Sequence, residues 1–483
     1  MVEMEKFDAV IRGAQVIDGT GSAGSLMEVA ISGDRIAAIA TLENAQNWLG
    51  KLEIDASDRV LAPGFIDVHT HDDNAVLATP TMPAKISQGV TTVIVGNCGI
   101  SLAPIIDIDP PEPLNLLGGR DQFHFETMAE YFTAVEAAQP AINVAALVGH
   151  STLRAGIMDN LQRTATGAEI AAMGERLAAS LAAGAIGFST GLYYKTAKAA
   201  EMAEVVALAK VLAKGGGIYT THMRDEADHI IASLQETKAT AEQADVPVVV
   251  SHHKCAQPAN WGRSEETLAF IEEARGTIKM GLDAYPYAAG STVLDPDFVR
   301  DDIRIMVTKS EAYPEAKGRD LSDIAKEWDC SLKDAASKLA PAGAIYFQID
   351  EDDMQRILAY PPTMIGSDGL PHDEHPHPRL WGTFPRVLGH YCRDLGLFDL
   401  PTAVHKMTGL PAATFGIPDR GVIREGAFAD LVVFNPDTVK DLATYENPLQ
   451  QSTGIDYVLV NGTLSLMLGN LCPDRAGQVV RNA

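Results

Sequence analysis

The strongest constraint on the fold is a regular alternation of short apolar runs with helix-like segments. Eight apolar runs of strand length occur from residue 65 onward, and amphipathic segments separate several of them. Residues 166–183, for example, follow a Thr166-x-x-Glu169 capping box and end before Gly184. Eight alternating units predict an α/β fold, a closed (β/α)8 TIM barrel of parallel strands. The predicted strands are 65–68, 91–95, 142–148, 185–188, 218–221, 246–250, 280–284 and 364–366.

The two chain ends have a different pattern, with short strands and tight turns such as Gly33-Asp34 between apolar pieces. We therefore predict that residues 1–61 and 416–483 form one small β-sandwich domain beside a barrel of residues 62–415. The seventh and eighth predicted strands lie about 80 residues apart, where a β/α unit of about 30 suffices. An ordered insertion, assigned to residues 286–343, should therefore hang over the barrel mouth as a lid.

Metal-type side chains follow the predicted strands where each one ends. His69 and His71 follow the first strand, Cys98 the second, and His222 and His252 the fifth and sixth; Asp368 follows the eighth. Active sites of such barrels lie at the carboxyl ends of the strands, so these groups should converge. Imidazole and thiolate ligands favour zinc, and Asp368 is then suited to act as general base and acid for a zinc-activated water.

Neighbouring groups have more ordinary interpretations. His253 follows His252 and should point to the opposite face, which favours a structural role. His150, after the third strand, is better explained as structural or as a support for a ligand than as a ligand itself. Cys255 has no partner of suitable spacing and is expected to be inert, whereas the glycine-flanked Cys98 is expected to be a ligand.

Composition restricts the class of partner. The 483-residue chain has a net charge of −26, which disfavours nucleic acid and anionic membranes but not a small anionic substrate in a cationic cleft. Its five cysteines are scattered, and no run of about 18 apolar residues or signal-peptide pattern occurs. We expect a cytoplasmic protein without membrane or nucleic-acid partners, either a monomer or a small homo-oligomer.

Longer motifs carry a family resemblance. The opening stretch Pro63-Gly-Phe-Ile-Asp-Val-His-Thr-His resembles the signature of the amidohydrolase superfamily. Most members with this opening supply a metal-bridging lysine from the fourth strand, but Ser189-Thr-Gly stands there, so the bridging role falls to Cys98. That departure resembles the D-aminoacylases, the N-acyl-D-amino-acid deacylases. Supporting motifs are Gly96-Asn-Cys-Gly-Ile-Ser, Thr221-His-Met-Arg-Asp-Glu, Ser251-His-His-Lys, Asp283-Ala-Tyr-Pro-Tyr and Gly366-Ser-Asp-Gly-Leu-Pro-His-Asp.

The resemblance implies a zinc hydrolase that converts an N-acyl-D-amino acid into a carboxylate and a free D-amino acid. It assigns a tight zinc site to Cys98, His222 and His252, and a second, weaker site to His69 and His71. Asp368 maps to the catalytic aspartate. Lys254, Tyr285 and Arg379 map to binders of the substrate carboxylate. Tyr194 maps to a stabiliser of the oxyanion, and the adjacent Tyr193 is the alternative for that role.

Alternatives concern mainly the substrate. The insertion, around Ser291, Leu294, Tyr346 and Gln348, should line the side-chain pocket and favour a neutral or hydrophobic side chain. Arg300 and Arg304 keep open an N-acyl-D-glutamate or N-acyl-D-aspartate substrate. A cyclic amide or a deamination is the next alternative, and the missing lysine counts against the former. A non-catalytic scaffold would be expected to have lost ligands that this chain retains.

Overall fold

The computed structural model describes residues 4–482, and its centre is a barrel of eight parallel strands. Consecutive strands are neighbours, and the first and last strands meet through a parallel bridge between Thr70 and Gly369. The predicted barrel and all eight of its strands are thus confirmed. The strands are Phe65–Asp67, Val90–Val95, Asn143–Gly149, Gly187–Gly191, Ile218–His222, Val248–Val250, Met280–Ala284 and Thr363–Ile365.

Helices connect the barrel strands, and capping by side chains explains where several of them begin. Thr166 accepts from the Glu169 amide while the Glu169 carboxylate accepts from the Thr166 amide, so the predicted capping box is present. Outside the insertion the α-helices are Ala75–Ala78, Pro83–Ile86, Met128–Ala138, His150–Ile157, Gly167–Ala182, Met202–Gly215, Ile230–Ala244, Ser264–Arg275, Glu351–Ala359, Arg379–Arg386, Leu400–Met407 and Gly409–Phe415; a π-helix spans Val387–Asp394, and 3-10 turns span Leu114–Leu117, Arg120–Gln122 and Pro258–Asn260.

Both chain ends contribute strands to one nine-stranded sheet beside the barrel. Val60–Pro63 pairs antiparallel with Leu431–Phe434 and leads directly into the first barrel strand, so this sheet fixes where the barrel begins. Its apolar core joins residues from both ends, including Ile11 and Leu459. Residues 1–3 and 483, which the prediction assigned to this domain, lie outside the described part of the chain. The strands are Glu5–Val16, Ser25–Ser32, Arg35–Ala40, Trp48–Asp55, Val60–Pro63, Leu431–Phe434, Ile455–Val460, Thr463–Met467 and Asn470–Leu471.

The insertion after the seventh strand has a sheet, helices and an apolar core of its own. Ala342–Tyr346 is the central strand, antiparallel to Gly290–Val293 on one side and Ile305–Ser310 on the other. Leu321–Glu327 and Leu332–Leu339 are its α-helices, and Pro314–Ala316 is a 3-10 turn. Because Gly290–Val293 follows the C-terminal end of a barrel strand, the insertion covers part of the barrel mouth. Leu294, predicted to line the pocket, packs instead in the insertion's core.

The opposite end of the barrel is closed by apolar side chains. Phe415, Ile417 and Val480 pack with interior residues of the barrel strands, so a segment near the end of the chain helps to seal the amino ends of the strands. A separate pair of short strands, Ile105–Ile106 and His124–Phe125, lies in the segment after the second barrel strand. Within residues 4–482, every helix is too short or too polar to cross a bilayer.

Candidate active site

The side chains predicted for the site meet in one cleft at the carboxyl ends of the barrel strands. Seven of them line the cleft directly: His71, Tyr194, His222, His252, Lys254, Tyr285 and Asp368. The other three, His69, Cys98 and Arg379, lie against these from behind and are almost completely buried. Strand order alone brings them together, since they come from segments up to about 300 residues apart.

Cys98, His222 and His252 form one compact group of donor atoms. His252 Nε2 lies 3.0 Å from His222 Nδ1 and 3.4 Å from Cys98 Sγ. A tetrahedral zinc ion requires donor separations of roughly 3.3 Å between nitrogens and roughly 3.6 Å between nitrogen and sulfur. These separations agree to within a few tenths of an ångström, and the mixed sulfur and nitrogen set is one that zinc prefers. The residues therefore fit a zinc ion.

A second group shares the same thiol. His69, His71, Cys98 and Asp368 each offer a donor atom, and these atoms lie within 4.8 Å of one another. His69 Nε2 is 3.1 Å from Cys98 Sγ, and His71 Nε2 is 3.2 Å from Asp368 Oδ1. Cys98 thus stands between two potential metal positions, which is where a bridging ligand must stand.

The turn that carries Cys98 depends on glycine on both sides and on Ser189. A Cβ on Gly96 would lie 2.1 Å from Leu147 O, and one on Gly99 would lie 2.7 Å from Gly191 N. Ser189, in the middle of the fourth strand, accepts a hydrogen bond from the Gly99 amide at 3.0 Å and donates to Gly96 O. The fourth strand thus supplies a hydroxyl that braces the thiol turn in place of a metal-bridging lysine.

Three of the candidate residues have left-handed backbones although none is glycine. The φ angles of Cys98, His252 and Asp368 are +54°, +36° and +50°. Such conformations cost on the order of 1–3 kcal/mol each and persist where surrounding contacts enforce them. Here the enforcing contacts include the Asp368 amide bonded to His69 O at 2.7 Å and the His252 amide bonded to Asp283 Oδ1 at 2.9 Å.

Neighbouring charges in the cleft lower the pKa values of Cys98 and Asp368. Burial alone would raise the pKa of Cys98, but His69 and His252 beside it hold that pKa well below its ordinary value. Burial opposes ionisation of Asp368 as well, yet the Arg379 guanidinium and the neighbouring histidines keep its pKa well below the usual range. Both shifts favour the ionised form, a thiolate at Cys98 and a carboxylate at Asp368.

Two cationic side chains contact the site, Arg379 beside Asp368 and Lys254 beside His252. Arg379 Nη1 is 2.9 Å from Asp368 Oδ2, Nη2 donates to Ser291 O at 3.0 Å, and the guanidinium lies 4.5 Å from the centre of the Tyr285 ring. Arg379 Nε has no hydrogen-bond acceptor among residues 4–482. Lys254 donates to Glu226 at 2.7 Å and to His252 O at 2.8 Å. Each cation thus contacts a residue of the predicted site, Asp368 for Arg379 and His252 for Lys254.

The two adjacent tyrosines have different surroundings. The Tyr193 ring stacks on both His222 and Phe298, with ring centres 5.2 and 4.8 Å apart. Tyr194 directs its hydroxyl to Thr292 at 3.2 Å, and burial raises the pKa of its phenol well above the ordinary value. Tyr194 consequently keeps its proton and can donate it in a hydrogen bond. Thr292 belongs to the insertion, which also places Ser291, Phe298, Tyr346 and Gln348 along the cleft wall.

The neighbouring groups that the sequence left as structural have partners elsewhere. His253 Nε2 lies 2.8 Å from Thr267 Oγ1 on a surrounding helix. His150 Nε2 lies 2.8 Å from Glu204, a carboxylate that also pairs with a buried arginine. Burial raises the pKa of Cys255 to about 12, which leaves its thiol protonated and unreactive.

Sequence reasoning gave no role to three charged groups that support the site. Asp283 accepts from His69 Nδ1 at 3.2 Å, Glu226 lies behind His222 and His252, and Lys85 joins Asp67 to Ser367. Asp283 and Glu226 belong to two of the motifs quoted above, so the sequence did contain a signal for these two residues. Lys85 has no sequence signal, because it lies on a short helix between the first two strands.

Fold and site together define a metal-dependent hydrolase of the amidohydrolase type. Residues 52–293 and 342–465 match the model described as "Amidohydrolase family". The chain is 54% identical over 460 residues to the D-aminoacylase of Alcaligenes xylosoxydans xylosoxydans, covering 95% of this chain and 94% of the relative. It is 49% identical over 462 residues to the N-acyl-D-glutamate deacylase of the same organism, covering 95% and 93%.

A solved relative has the same architecture over its whole length. The N-acyl-D-glutamate deacylase from Bordetella bronchiseptica, determined with zinc and a phosphonate inhibitor, superimposes with a TM-score of 0.95 at 46% identity, covering 99% of this chain and 100% of that one. The chain belongs to the amidohydrolase family, within its group of D-aminoacylases.

Proposed function

We propose that this protein is a zinc-dependent hydrolase that cleaves the amide bond of N-acyl-D-amino acids into a carboxylate and a free D-amino acid. The observation that carries the proposal is the convergence of Cys98, His222 and His252 beside Asp368, which pairs with Arg379. Support for the D configuration comes from the relatives, whose names specify D-amino acids.

Cys98, His222 and His252 would hold the zinc tightly, and His69 and His71 would form a weaker second position with Cys98. When bound, zinc supplies polarisation of a carbonyl group and acidification of a water molecule. Asp368 takes the proton from the attacking water and later delivers it to the amine leaving group. The Tyr194 hydroxyl donates a hydrogen bond to the oxygen on which negative charge develops.

Arg379, Lys254 and Tyr285 would bind the α-carboxylate of the substrate. A guanidinium can hold a carboxylate through parallel hydrogen bonds. Arg379 Nε is buried and has no acceptor among residues 4–482, so a substrate carboxylate that reached it would supply one. The arriving negative charge shares Arg379 with Asp368, so it should raise the Asp368 pKa from its very low value. Substrate binding would thereby make Asp368 a better acceptor of the water proton.

We propose a neutral, apolar preference for the substrate side chain, because the stacked rings of Tyr193 and Phe298 form one wall of the cleft. One observation favours an acidic side chain instead: Arg300 Nη1 lies 3.0 Å from Gln257 Oε1, and Gln257 lines the cleft. Turnover of N-acetyl-D-leucine, -methionine, -phenylalanine, -glutamate and -aspartate, each beside its L-form, separates the two preferences. Hydrolysis of the L-forms alone would contradict the proposal.

The assigned role of Asp368 is tested by Asp368→Asn. The amide preserves shape but cannot accept a proton as a carboxylate does, so turnover should fall about 10²–10⁴-fold. Zinc content should persist, because the three donors of the tight site do not include Asp368. Near-normal turnover in a zinc-loaded variant would eliminate this role. Metal analysis of the unmodified protein then counts the zinc ions bound per chain.

The proposal also covers where the protein is located and how many chains it contains. We infer a cytoplasmic protein that acts as a monomer or small homo-oligomer on a small-molecule substrate. The five cysteines are free thiols, as expected in a reducing compartment. Cell fractionation tests the location, and light scattering on the purified protein gives the number of chains.

A further inference from the structure

Glu226 is a largely enclosed carboxylate in the cleft wall that the mechanism above does not use. It lies in the loop after the fifth barrel strand, four residues beyond His222, and its side chain is 10% exposed. The adjacent Asp225 serves its own loop, because its Oδ1 accepts from the Ala227 amide at 2.7 Å. Within residues 4–482 the Glu226 carboxylate accepts no hydrogen bond from a backbone amide. It faces the histidines of the site instead.

Both oxygens of Glu226 face nitrogens of the candidate zinc ligands. Oε1 lies 3.0 Å from His252 Nδ1, and Oε2 lies 3.6 Å from His222 Nε2. The second separation is longer than a hydrogen bond. His222 Nε2 is nevertheless buried and has no hydrogen-bond partner among residues 4–482, so no other acceptor competes for it.

These two nitrogens are the ones that do not face the other donors. His252 directs Nε2 to Cys98, and His222 directs Nδ1 to His252 Nε2. A neutral imidazole that binds a metal through one nitrogen carries its proton on the other, and that N–H needs an acceptor. Glu226 is placed to accept from both rings, as Asp283 accepts from His69 Nδ1.

Lys254 makes the carboxylate still more important. Its Nζ lies 2.8 Å from His252 Nδ1 and 2.7 Å from Glu226 Oε1. Once His252 uses Nε2 as a ligand, its Nδ1–H and the ammonium are both donors and cannot bond to each other. Oε1 of Glu226 can accept from both, so one carboxylate orients the ligand and holds the lysine at the cleft.

We propose that Glu226 is a positioning residue that fixes His222 and His252 as ligands through their outer nitrogens and holds Lys254 in the substrate cleft. The inference rests on the metal centre of the proposed function. It goes further because one side chain, Glu226, would support two zinc ligands and one substrate-binding lysine. Glu226 itself belongs to neither donor group.

The test is the zinc dissociation constant of purified protein, measured by competition with a chelator. Glu226→Gln should weaken zinc binding about 10–100-fold, the usual effect of losing such a support. Glu236→Gln is the matched control, because Glu236 is a partly buried carboxylate nearby in sequence that pairs with Arg224. Zinc binding in Glu226→Gln equal to that of the control would overturn the proposal.

A second comparison separates positioning from simple charge balance with Lys254. If Glu226 only neutralised that lysine, removing both charges in Glu226→Gln with Lys254→Met would restore normal zinc affinity, and such restoration would refute the proposal. We expect the double variant to remain weak. Should Glu226→Gln not fold, Glu226→Asp keeps the charge but withdraws the carboxylate, and zinc affinity should still fall several-fold; unchanged affinity would overturn the proposal.

Failure of the proposed reaction is distinguishable from failure of this inference. Zinc affinity is measured without substrate, so it can be compared among the variants even if the unmodified protein hydrolyses none of the N-acyl-D-amino acids. Replacement of zinc by cobalt gives an independent readout, because the visible spectrum of the cobalt ion responds to ligand geometry. A spectrum identical in Glu226→Gln and the unmodified protein would contradict a positioning role.

Discussion

Replacing Lys85 with methionine should remove a buried ammonium that ties the first barrel strand to the eighth beneath the active site. Its Nζ lies 2.7 Å from Asp67 Oδ2, 3.2 Å from Asp72 Oδ2 and 2.8 Å from Ser367 Oγ. All four side chains are at most 1% exposed, so water cannot replace the lost partner. Two carboxylates would be left buried beside each other without their cation.

The expected loss in the free energy of unfolding follows from that geometry. Removing one partner of a buried ion pair costs about 3–5 kcal/mol, because a charge remains buried without compensation. This corresponds to a factor of roughly 10²–10⁴ in the folding equilibrium at about 1.4 kcal/mol per factor of ten. Activity should fall as well, since Ser367 immediately precedes Asp368. Urea unfolding gives the free energy of unfolding for Lys85→Met and for the unmodified protein.

The loss of stability in Lys85→Met should increase as pH rises. Burial already raises the Asp72 pKa, and Lys85 counteracts that rise. Without Lys85 the folded-state pKa should lie further above the unfolded value, so stability is retained at low pH and lost as pH rises. The deficit should therefore be larger at pH 8 than at pH 5. Adding Asp72→Asn to Lys85→Met should recover part of it by removing one buried charge.

A surface lysine provides the control. Lys317 lies 2.7 Å from Glu374, but both side chains are about half exposed, so Lys317→Met should leave the free energy of unfolding nearly unchanged. If Lys85→Met costs less than about 1 kcal/mol, or no more than Lys317→Met, the assigned role of the buried ammonium is wrong.

Three further predictions concern the metal, the oxyanion and a remote lysine. Cys98→Ala should lose the tightly bound zinc in metal analysis, whereas His69→Ala should keep it; loss of that zinc in His69→Ala would reverse the ranking of the two sites. Tyr194→Phe should lower kcat about 10²–10³-fold with a smaller change in KM, and a kcat close to that of Tyr193→Phe would contradict the role. Burial lowers the pKa of Lys406 to about 7; between pH 7 and 10 this residue therefore binds more protons in the unfolded chain, and its contribution to the free energy of unfolding should rise with pH. In urea unfolding at pH 7.5 and 9.5, Lys406→Met should remove that contribution, so that its free energy of unfolding changes less favourably with rising pH than that of the unmodified protein; an equal change in both proteins would exclude this role of the lysine.

The sequence by itself determined the barrel and most of the donor groups. Strand-length apolar runs and helical periods are local patterns, so all eight strands can be placed from the amino-acid sequence alone. The side chain that follows a parallel strand must lie at one end of the barrel. His71, Cys98, His222, His252 and Asp368 could therefore be predicted to converge although they are distant in the chain.

The insertion was predictable only in part. Its length showed that ordered structure should interrupt the last β/α unit, and its two helices have local signals. The strands Gly290–Val293 and Ile305–Ser310 went unpredicted, because short strands are defined by the partners that they find. The placement of Leu294 in the pocket was wrong, because sequence position does not tell which way a side chain next to such a strand points.

Only the tertiary structure decided which groups support the donors. Glu226 and Asp283 face outer nitrogens of the histidines, and Ser189 braces the Cys98 turn, through contacts that depend on loop paths and side-chain directions. Lys85 donates to Ser367, a residue 282 positions further along the chain. Local pattern fixes secondary structure and strand ends, whereas the partner of a buried charge is set by long-range packing, which no single stretch of sequence encodes.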